Sequence, residues 1–244
     1  LVQYATLAAN GHNTQPWIFR AEGDSLTIRP DASRRLAVVD PHDRELWISL
    51  GCALENLLLA AQAGGYAAEV AYPDSAAEIT VRLTASEAQI SPLFTAIPSR
   101  QNTRSEYNGR LIPNEQYAAI QALPVEPGVG LRLAATPADM AVLDEYIREG
   151  NKSQYADPAF VDELITWLRF NKKEALRTKD GLYSRCSGNP EVPRWLGKSF
   201  VAGTMPEQQA EADSEKLMSS GGAVVITSQE DTPSAWVRAG QVYQ

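Results

Sequence analysis

Apolar positions along the chain follow two spacings, one typical of strands and one typical of helices. Residues 17–20 and 25–30 alternate around the turn residues Gly23 and Asp24, which predicts a first pair of strands. Residues 68–72 and 78–83 show the same pattern and predict a second pair. Further strands are predicted at 130–135 and 222–228.

The most apolar helical pattern begins after Asp40, which can cap a helix that has Pro41 in its first turn. It ends at Gly64 and Gly65, and its apolar residues lie on most sides, so we expect a central helix. Other helices are predicted at 2–8, 114–122, 137–154, 158–177, 207–219 and from Thr232 onward. Residues 178–206 are predicted to form a long loop. Because helices and strands mix without a strict βαβ order, the pattern predicts an α+β fold, with a mixed or antiparallel sheet packed by helices.

Composition narrows the classes of function. Hydrophobic residues make up 44% of the 244 residues and charged residues 21%, a globular mixture. The net charge of −8 argues against a nucleic-acid binder. Glu55, Asn56 and Gln62 interrupt the most apolar segment, so no membrane span is predicted. Cys52 and Cys186 form no cluster with histidines, so no metal site is expected, and a disulfide between them stays open.

The run ANGHNTQPW, residues 9–17, places many hydrogen-bonding side chains in one short loop. One interpretation is structural, with Asn and Thr capping turns, Pro16 breaking a helix and Trp17 starting a core strand. The other is that the polar groups face a ligand. A single histidine such as His12 is more often a hydrogen-bonded loop residue than a catalyst.

The stretch PSRQNTRSEY, residues 98–107, brings two arginines close together in sequence. The guanidinium groups of Arg100 and Arg104 suit a phosphate monoester, and Gln101, Asn102 and Thr103 could add hydrogen bonds. The stretch lacks the glycines of a nucleotide-binding loop. Its structural alternative is a solvated loop with surface salt bridges.

Together these stretches resemble two signatures of the nitroreductase superfamily. AANGHNTQPW is similar to a Pro-Ser pair followed by Asn and Gln-Pro-Trp, with Ala9 and Asn10 in place of Pro-Ser. RQNTRSEY is similar to Arg-x-Ser/Thr-x-Arg followed by an aromatic residue, here Tyr107, with Asn102 in place of Ser or Thr. The histidine before Asn13, and the order of the two signatures, resemble the Acg-like tandem branch.

That resemblance implies FMN bound between two nitroreductase-like halves of one chain, a pseudo-dimer. The halves would be residues 1–97 and 98–244, the second lacking its C-terminal part, and residues 181–200 would form a lid over the flavin. An ordinary loop that Trp195 anchors to the core is the alternative to the lid. The implied cofactor-binding residues are Ala9, Asn10, Gly11, His12, Asn13 and Gln15 at the flavin, and Arg100, Gln101, Asn102 and Arg104 at its phosphate.

The implied chemistry needs no catalytic side chain, because hydride passes through flavin N5. The expected activity is an FMN-dependent oxidoreductase that uses NAD(P)H to reduce small nitroaromatic or quinone-like acceptors. The alternative is an FMN-binding or storage protein with a covered flavin and little turnover, and a flavin-free interaction domain is a third hypothesis.

The resemblance also bears on assembly and location. It implies a monomer that mimics a dimer, or a homodimer. A bacterial protein exported to the periplasm through a twin-arginine signal is favoured over a cytoplasmic one. The chain starts at Leu1 and stops at Gln244 without the usual start and stop signals, so the sequence is expected to be a fragment.

Overall fold

Helices and strands alternate irregularly in the computed structural model, which describes residues 1–73, 77–102 and 104–244. The α+β class predicted from the sequence is confirmed. The helices are α1 (Val2–Ala5), α2 (Arg44–Ala63), α3 (Pro92–Ala96), α4 (Asn114–Gln121), α5 (Pro137–Tyr155), α6 (Pro158–Trp167), α7 (Lys172–Thr178), α8 (Arg194–Ala202), α9 (Pro206–Met218) and α10 (Pro233–Tyr243). The strands are β1 (Trp17–Glu22), β2 (Ser25–Pro30), β3 (Tyr66–Ala71), β4 (Ile79–Ala85), β5 (Val129–Ala134), β6 (Leu168–Arg169), β7 (Leu182–Tyr183) and β8 (Ala223–Ser228).

The chain divides into two compact units. The first contains residues 1–101, 125–130 and 226–244, and the second contains residues 102–124 and 131–225. The predicted division at residue 97 follows a different criterion, the repetition of two similar halves, and it stays a prediction.

The first unit is built on an antiparallel sheet with the strand order β1-β2-β4-β3. Leu26 pairs with Val81 and Ile28 with Ile79 across the two central strands, and all four side chains are buried. Such cross-strand pairs of branched side chains stabilise a sheet and fix its register. Strand β1 pairs with β2 and β3 pairs with β4, both antiparallel, so both predicted strand pairs are confirmed.

Helix α2 is the centre of this unit, as its apolar pattern predicts. Leu50, Leu54 and Leu57 are fully buried. Helix α10 packs against α2 at unusually close range, because a Cβ added at Gly51 would lie 2.1 Å from the Val237 carbonyl oxygen. A Cβ at Gly240 would lie 2.1 Å from the Ile48 carbonyl oxygen. Only glycine permits this approach of two backbones.

By length and composition alone, α2 is also apolar enough to cross a membrane. However, 67% of its most apolar window is buried inside the fold. Burial of this kind is expected of a core helix, because the helix already has apolar neighbours on most sides.

The second unit contains α4 to α9, and α5 packs along α9. Arg148 on α5 joins the two helices, since its guanidinium donates to Glu211 at 2.6 Å and to Ser214 at 2.6 Å. The same side chain bonds Asp144 one turn earlier at 2.8 Å. Strands β5 and β8 pair in a separate two-stranded sheet, of which residues 129–130 and 226–228 belong to the first unit.

Two predictions for this unit were wrong. Residues 158–177 do not form one helix, because the chain becomes extended at Leu168 and starts a new helix at Lys172. Arg169 explains the break: its buried guanidinium bonds Asp180 at 2.7 Å and the Thr166 carbonyl at 2.8 Å. Residues 178–206 are not a simple loop either, because they contain β7 and α8.

Candidate functional site

The loop over residues 9–15 has an unusual backbone. Residues 11–13 form one turn of 3₁₀ helix, and His12, Asn13 and Gln15 have φ angles of 48°, 52° and 53°. Each left-handed residue other than glycine costs on the order of 1 kcal/mol, so the surrounding structure must hold the loop. Strain concentrated in this way is a reason to suspect a functional site.

The loop is held partly by the side chain of Asn10. Its Oδ1 accepts from the Gln15 N–H at 2.8 Å, and its Nδ2 donates to the Ala8 carbonyl at 3.1 Å. One amide therefore bonds the backbone before the left-handed residues and the last of those residues. This is the turn-forming role of the structural interpretation.

Helix α2 also holds the loop, through Ser49. The Gly11 N–H donates to Ser49 Oγ at 3.2 Å, and the Ser49 hydroxyl donates to the Glu45 carbonyl at 2.7 Å. A Cβ at Gly11 would lie 3.0 Å from Glu45 Oε2 and 3.3 Å from a Leu36 methyl group. A larger residue at position 11 would therefore push the Glu45 and Leu36 side chains aside by a few tenths of an ångström.

Two acidic side chains, Asp40 and Glu45, lie at the start of α2. The buried Asp40 carboxylate accepts from the Arg44 N–H at 2.8 Å and the Leu46 N–H at 2.9 Å, so it bonds two free N–H groups of the first turn. The helix begins at Arg44 with Asp43 at the N-cap position, so the predicted place of Pro41 in the first turn was wrong. Partial burial raises the pKa of Glu45, and the charge of Asp40 raises it further. Gly11 lies beside a cavity of about 10 Å³, which is room for about one water molecule.

The arginine segment meets the same part of the first unit through Arg100. A 3₁₀ turn over residues 97–99 follows α3 and leads into Arg100. The Arg100 guanidinium donates to the Leu7 carbonyl at 2.8 Å. The fold therefore brings Arg100 to the backbone just before Ala9, although the two are far apart in sequence.

The described residues that follow Arg100 in the stretch over residues 98–107 are exposed to solvent. Gln101 is exposed at the end of the first unit, and Asn102 and Arg104 are exposed in the second. Thr103 lies outside the described residues. Tyr107, which closes the signature, is also exposed, and its N–H donates to Ser219 Oγ at 2.9 Å.

Sequence reasoning missed several polar residues that support the loop. Ser49 and Asn56 are buried on α2, and Gln244 follows α10. Gln244 accepts from the Ala9 N–H at 2.9 Å. The sequence marks Asn56 as a polar residue inside an apolar helical run. It does not show which groups Asn56 bonds.

The predicted lid, residues 181–200, is firmly attached at several points within its unit. The Val192 N–H donates to the Phe170 carbonyl at 3.1 Å, and Arg194 donates to the Leu168 carbonyl at 3.1 Å. Gly197 packs against the Phe170 ring so closely that a Cβ would lie 2.1 Å from it. Trp195 is 72% exposed, so the alternative in which it anchors a loop to the core is wrong.

Among the residues that the structure describes, the cysteines are separate thiols and the acidic side chains form no metal site. Cys52 is buried and Cys186 exposed, and both are free thiols. Burial raises the pKa of the Cys52 thiol to about 12. Within residues 1–73, 77–102 and 104–244, no group of three or more His, Cys, Asp or Glu side chains could hold a metal ion.

Comparison with known proteins gives one consistent result. Over 170 residues, the chain is 34% identical to proteins from two strains of Mycobacterium tuberculosis, each provisionally named an NAD(P)H nitroreductase. The match covers 67% of this chain and 48% of each relative, so the chain spans about half the length of the curated relatives that it matches. No protein-family model matches the chain. The similarity supports the nitroreductase superfamily.

Proposed function

We propose that the chain is part of an FMN-dependent oxidoreductase that uses NAD(P)H to reduce small nitroaromatic or quinone-like acceptors. The observation that carries this proposal is the bond from Arg100 to the Leu7 carbonyl, because it brings the first arginine of the second signature to the backbone just before the loop over residues 9–15. The similarity to the mycobacterial relatives supports the same conclusion. When bound, FMN would supply a ring nitrogen that accepts and returns a hydride.

The residues present fit the phosphate end of such a cofactor. Gln101, Asn102 and Arg104 expose amide and guanidinium donors within a few residues of Arg100. A phosphate dianion is well matched by such donors, and a guanidinium can bind it with two parallel hydrogen bonds. In this proposal, Arg100, Gln101, Asn102 and Arg104 hold the phosphate.

The loop over residues 9–15 is proposed to line the flavin ring. Its proposed contact residues are Ala9, Asn10, Gly11, His12, Asn13 and Gln15. Because Asn10 and Gly11 are already bonded within the first unit, the loop is rigid before any cofactor arrives. A preformed wall reduces the entropy cost of binding and excludes water from the reacting face.

We further propose that the chain carries the tandem arrangement of the Acg-like branch, with two halves forming a pseudo-dimer. The covered site in that arrangement gives the second candidate function, FMN binding or storage with little turnover. Trp195 on α8 presents a large apolar side chain to solvent, as the lid of that arrangement requires, and this supports the second candidate. Export to the bacterial periplasm stays part of the proposal.

Loading and turnover test both candidates. The purified chain is incubated with FMN, excess cofactor is removed, and the visible absorption spectrum is taken. NADH or NADPH is then added with a nitroaromatic or a quinone acceptor. A flavin spectrum with oxidation of the nicotinamide supports the oxidoreductase. Bound flavin without turnover supports storage. A colourless protein that cannot be loaded contradicts both.

A further inference from the structure

A line of hydrogen bonds runs from the loop into the centre of the first unit. The Ala9 N–H donates to Gln244 Oε1 at 2.9 Å, and Gln244 Nε2 donates to Asn56 Oδ1 at 3.1 Å. Asn56 Nδ2 then donates to the Tyr4 carbonyl at 3.2 Å. Two side-chain amides thus connect a backbone donor to a backbone acceptor.

The two ends fix the direction of both amides. Ala9 offers an N–H and therefore requires the oxygen of Gln244, which turns the Gln244 nitrogen towards Asn56. Tyr4 offers a carbonyl and requires the nitrogen of Asn56. Reversing either amide would place two donors or two acceptors face to face. Asn56 is fully buried, so a lost partner cannot be replaced by bulk water.

This relay, from Ala9 through Gln244 and Asn56 to Tyr4, acts on the segment that leads into the loop over residues 9–15. Tyr4 is held at its carbonyl by Asn56, Leu7 at its carbonyl by Arg100, and Ala9 at its N–H by Gln244. These attachments leave little freedom for the backbone that leads into the strained loop.

We propose that Asn56 and Gln244 are positioning residues for the flavin site, and this inference rests on the proposed function. They act through Ala9 and set where the edge formed by Ala9 and Asn10 meets the cofactor. Gln244 follows α10 and Asn56 lies on α2, so the relay also makes the loop position depend on the close packing of these helices.

The test uses Gln244→Met, which removes both amide bonds with a small change in side-chain size. Gln62→Met is the matched control, because the Gln62 amide bonds Gln89 on the exposed surface at 3.0 Å. Two quantities are measured: the exchange rate of the Ala9 amide proton by NMR, and the dissociation constant for FMN. The exchange rate needs no bound flavin.

For Gln244→Met we expect Ala9 exchange and the FMN dissociation constant each to rise about tenfold, as the loss of one ordinary hydrogen bond implies. Gln62→Met should change neither. Gln244→Glu keeps an oxygen for Ala9 but turns a second acceptor toward Asn56 Oδ1. It should therefore restore only part of the exchange protection, whereas a loss of general packing would restore none.

Each contrary result has a separate meaning. Unchanged Ala9 exchange in Gln244→Met would show that the relay does not hold the loop. Faster exchange with an unchanged FMN dissociation constant would overturn the positioning role alone. If the wild-type chain binds no FMN, the proposed function and the positioning role both fail, while the exchange contrast still tells whether the relay exists.

Discussion

The two signature segments differ in how many hydrogen bonds from the rest of the fold hold them in place. The loop over residues 9–15 is bonded by Asn10 within itself, by Ser49 from α2 and by Gln244 after α10. In the segment over residues 100–104, Arg100 is bonded to Leu7, whereas Gln101 and Arg104 are exposed.

This difference suggests a division of labour. Strained backbone is kept only where neighbouring groups hold it, and such a wall can orient a flat ring before binding. Exposed guanidinium and amide groups keep their side-chain freedom until an anion arrives. We therefore expect changes at the first segment to alter stability and binding together, and changes at the exposed Gln101 and Arg104 of the second to alter binding alone.

The largest effect should come from removing the support under the first segment. Gly51→Ala places a methyl group 2.1 Å from the Val237 carbonyl oxygen, so α2 and α10 must separate. We expect the free energy of unfolding to fall by about 3 kcal/mol in denaturant titration. Gly150→Ala is the control, because a Cβ there meets nothing within 4 Å, and helix α5 should become slightly more stable. Equal stability of Gly51→Ala and the wild type would contradict the close packing.

The next effect concerns the second segment. Arg104→Ala should weaken FMN binding by about 1.5–3 kcal/mol, the value of a hydrogen bond to a charged group. Its free energy of unfolding should stay within about 0.5 kcal/mol of the wild type, because Arg104 is exposed. Fluorescence titration of FMN and denaturant titration measure the two quantities. Arg20→Ala, at an exposed position on β1, is the control and should leave both unchanged. An unchanged FMN affinity in Arg104→Ala would place the phosphate elsewhere.

Asn10 gives the contrasting result for the first segment. Asn10→Ala removes the bonds to the Gln15 N–H and the Ala8 carbonyl, so we expect about 1–2 kcal/mol less stability along with weaker FMN binding. Asn10→Asp keeps the acceptor for Gln15 and should fall between Ala and the wild type. Were Asn10→Ala to lose affinity at full stability, the contrast between the segments would disappear.

The smallest effect is a dependence on pH. Because the folded protein raises the pKa of Glu45, folding favours its protonated form, and the stability from this group is lost as pH rises through the folded pKa. Glu45→Gln should match the wild type below about pH 4, near the unfolded pKa, and be more stable at pH 7. Part of the side chain reaches water, so the difference should stay below about 1 kcal/mol. Glu22→Gln, exposed on β1, is the control. If Glu45→Gln were less stable than the wild type at pH 7, the raised pKa of Glu45 in the folded protein would be contradicted.

Local signals predicted much of the fold. The turn at Gly23 and the apolar spacing of α2 identified elements that depend on neighbouring residues alone. The break before Arg169 was missed because its cause is Asp180, a partner supplied by the following turn. Helix α8 was missed because glycines and prolines around it indicated a loop.

The site was predictable only in part for the same reason. The polar loop and the arginines stand out in the sequence, and the resemblance assigned them a role. The bond from Arg100 to Leu7 and the bond from Ala9 to Gln244 join residues far apart in sequence, so no local pattern specifies them. Ser49 is a small helical residue in the sequence, and only the structure shows that it accepts a hydrogen bond from Gly11.

The central claim is that these two segments form the ring wall and the phosphate end of one flavin site. The most direct measurement compares the equilibrium affinity of the wild-type chain for FMN and for riboflavin, which lacks the phosphate. We expect FMN to bind at least about tenfold more tightly, since even one charge-assisted bond gives that difference. Equal affinities, or no binding of either flavin, would contradict the account.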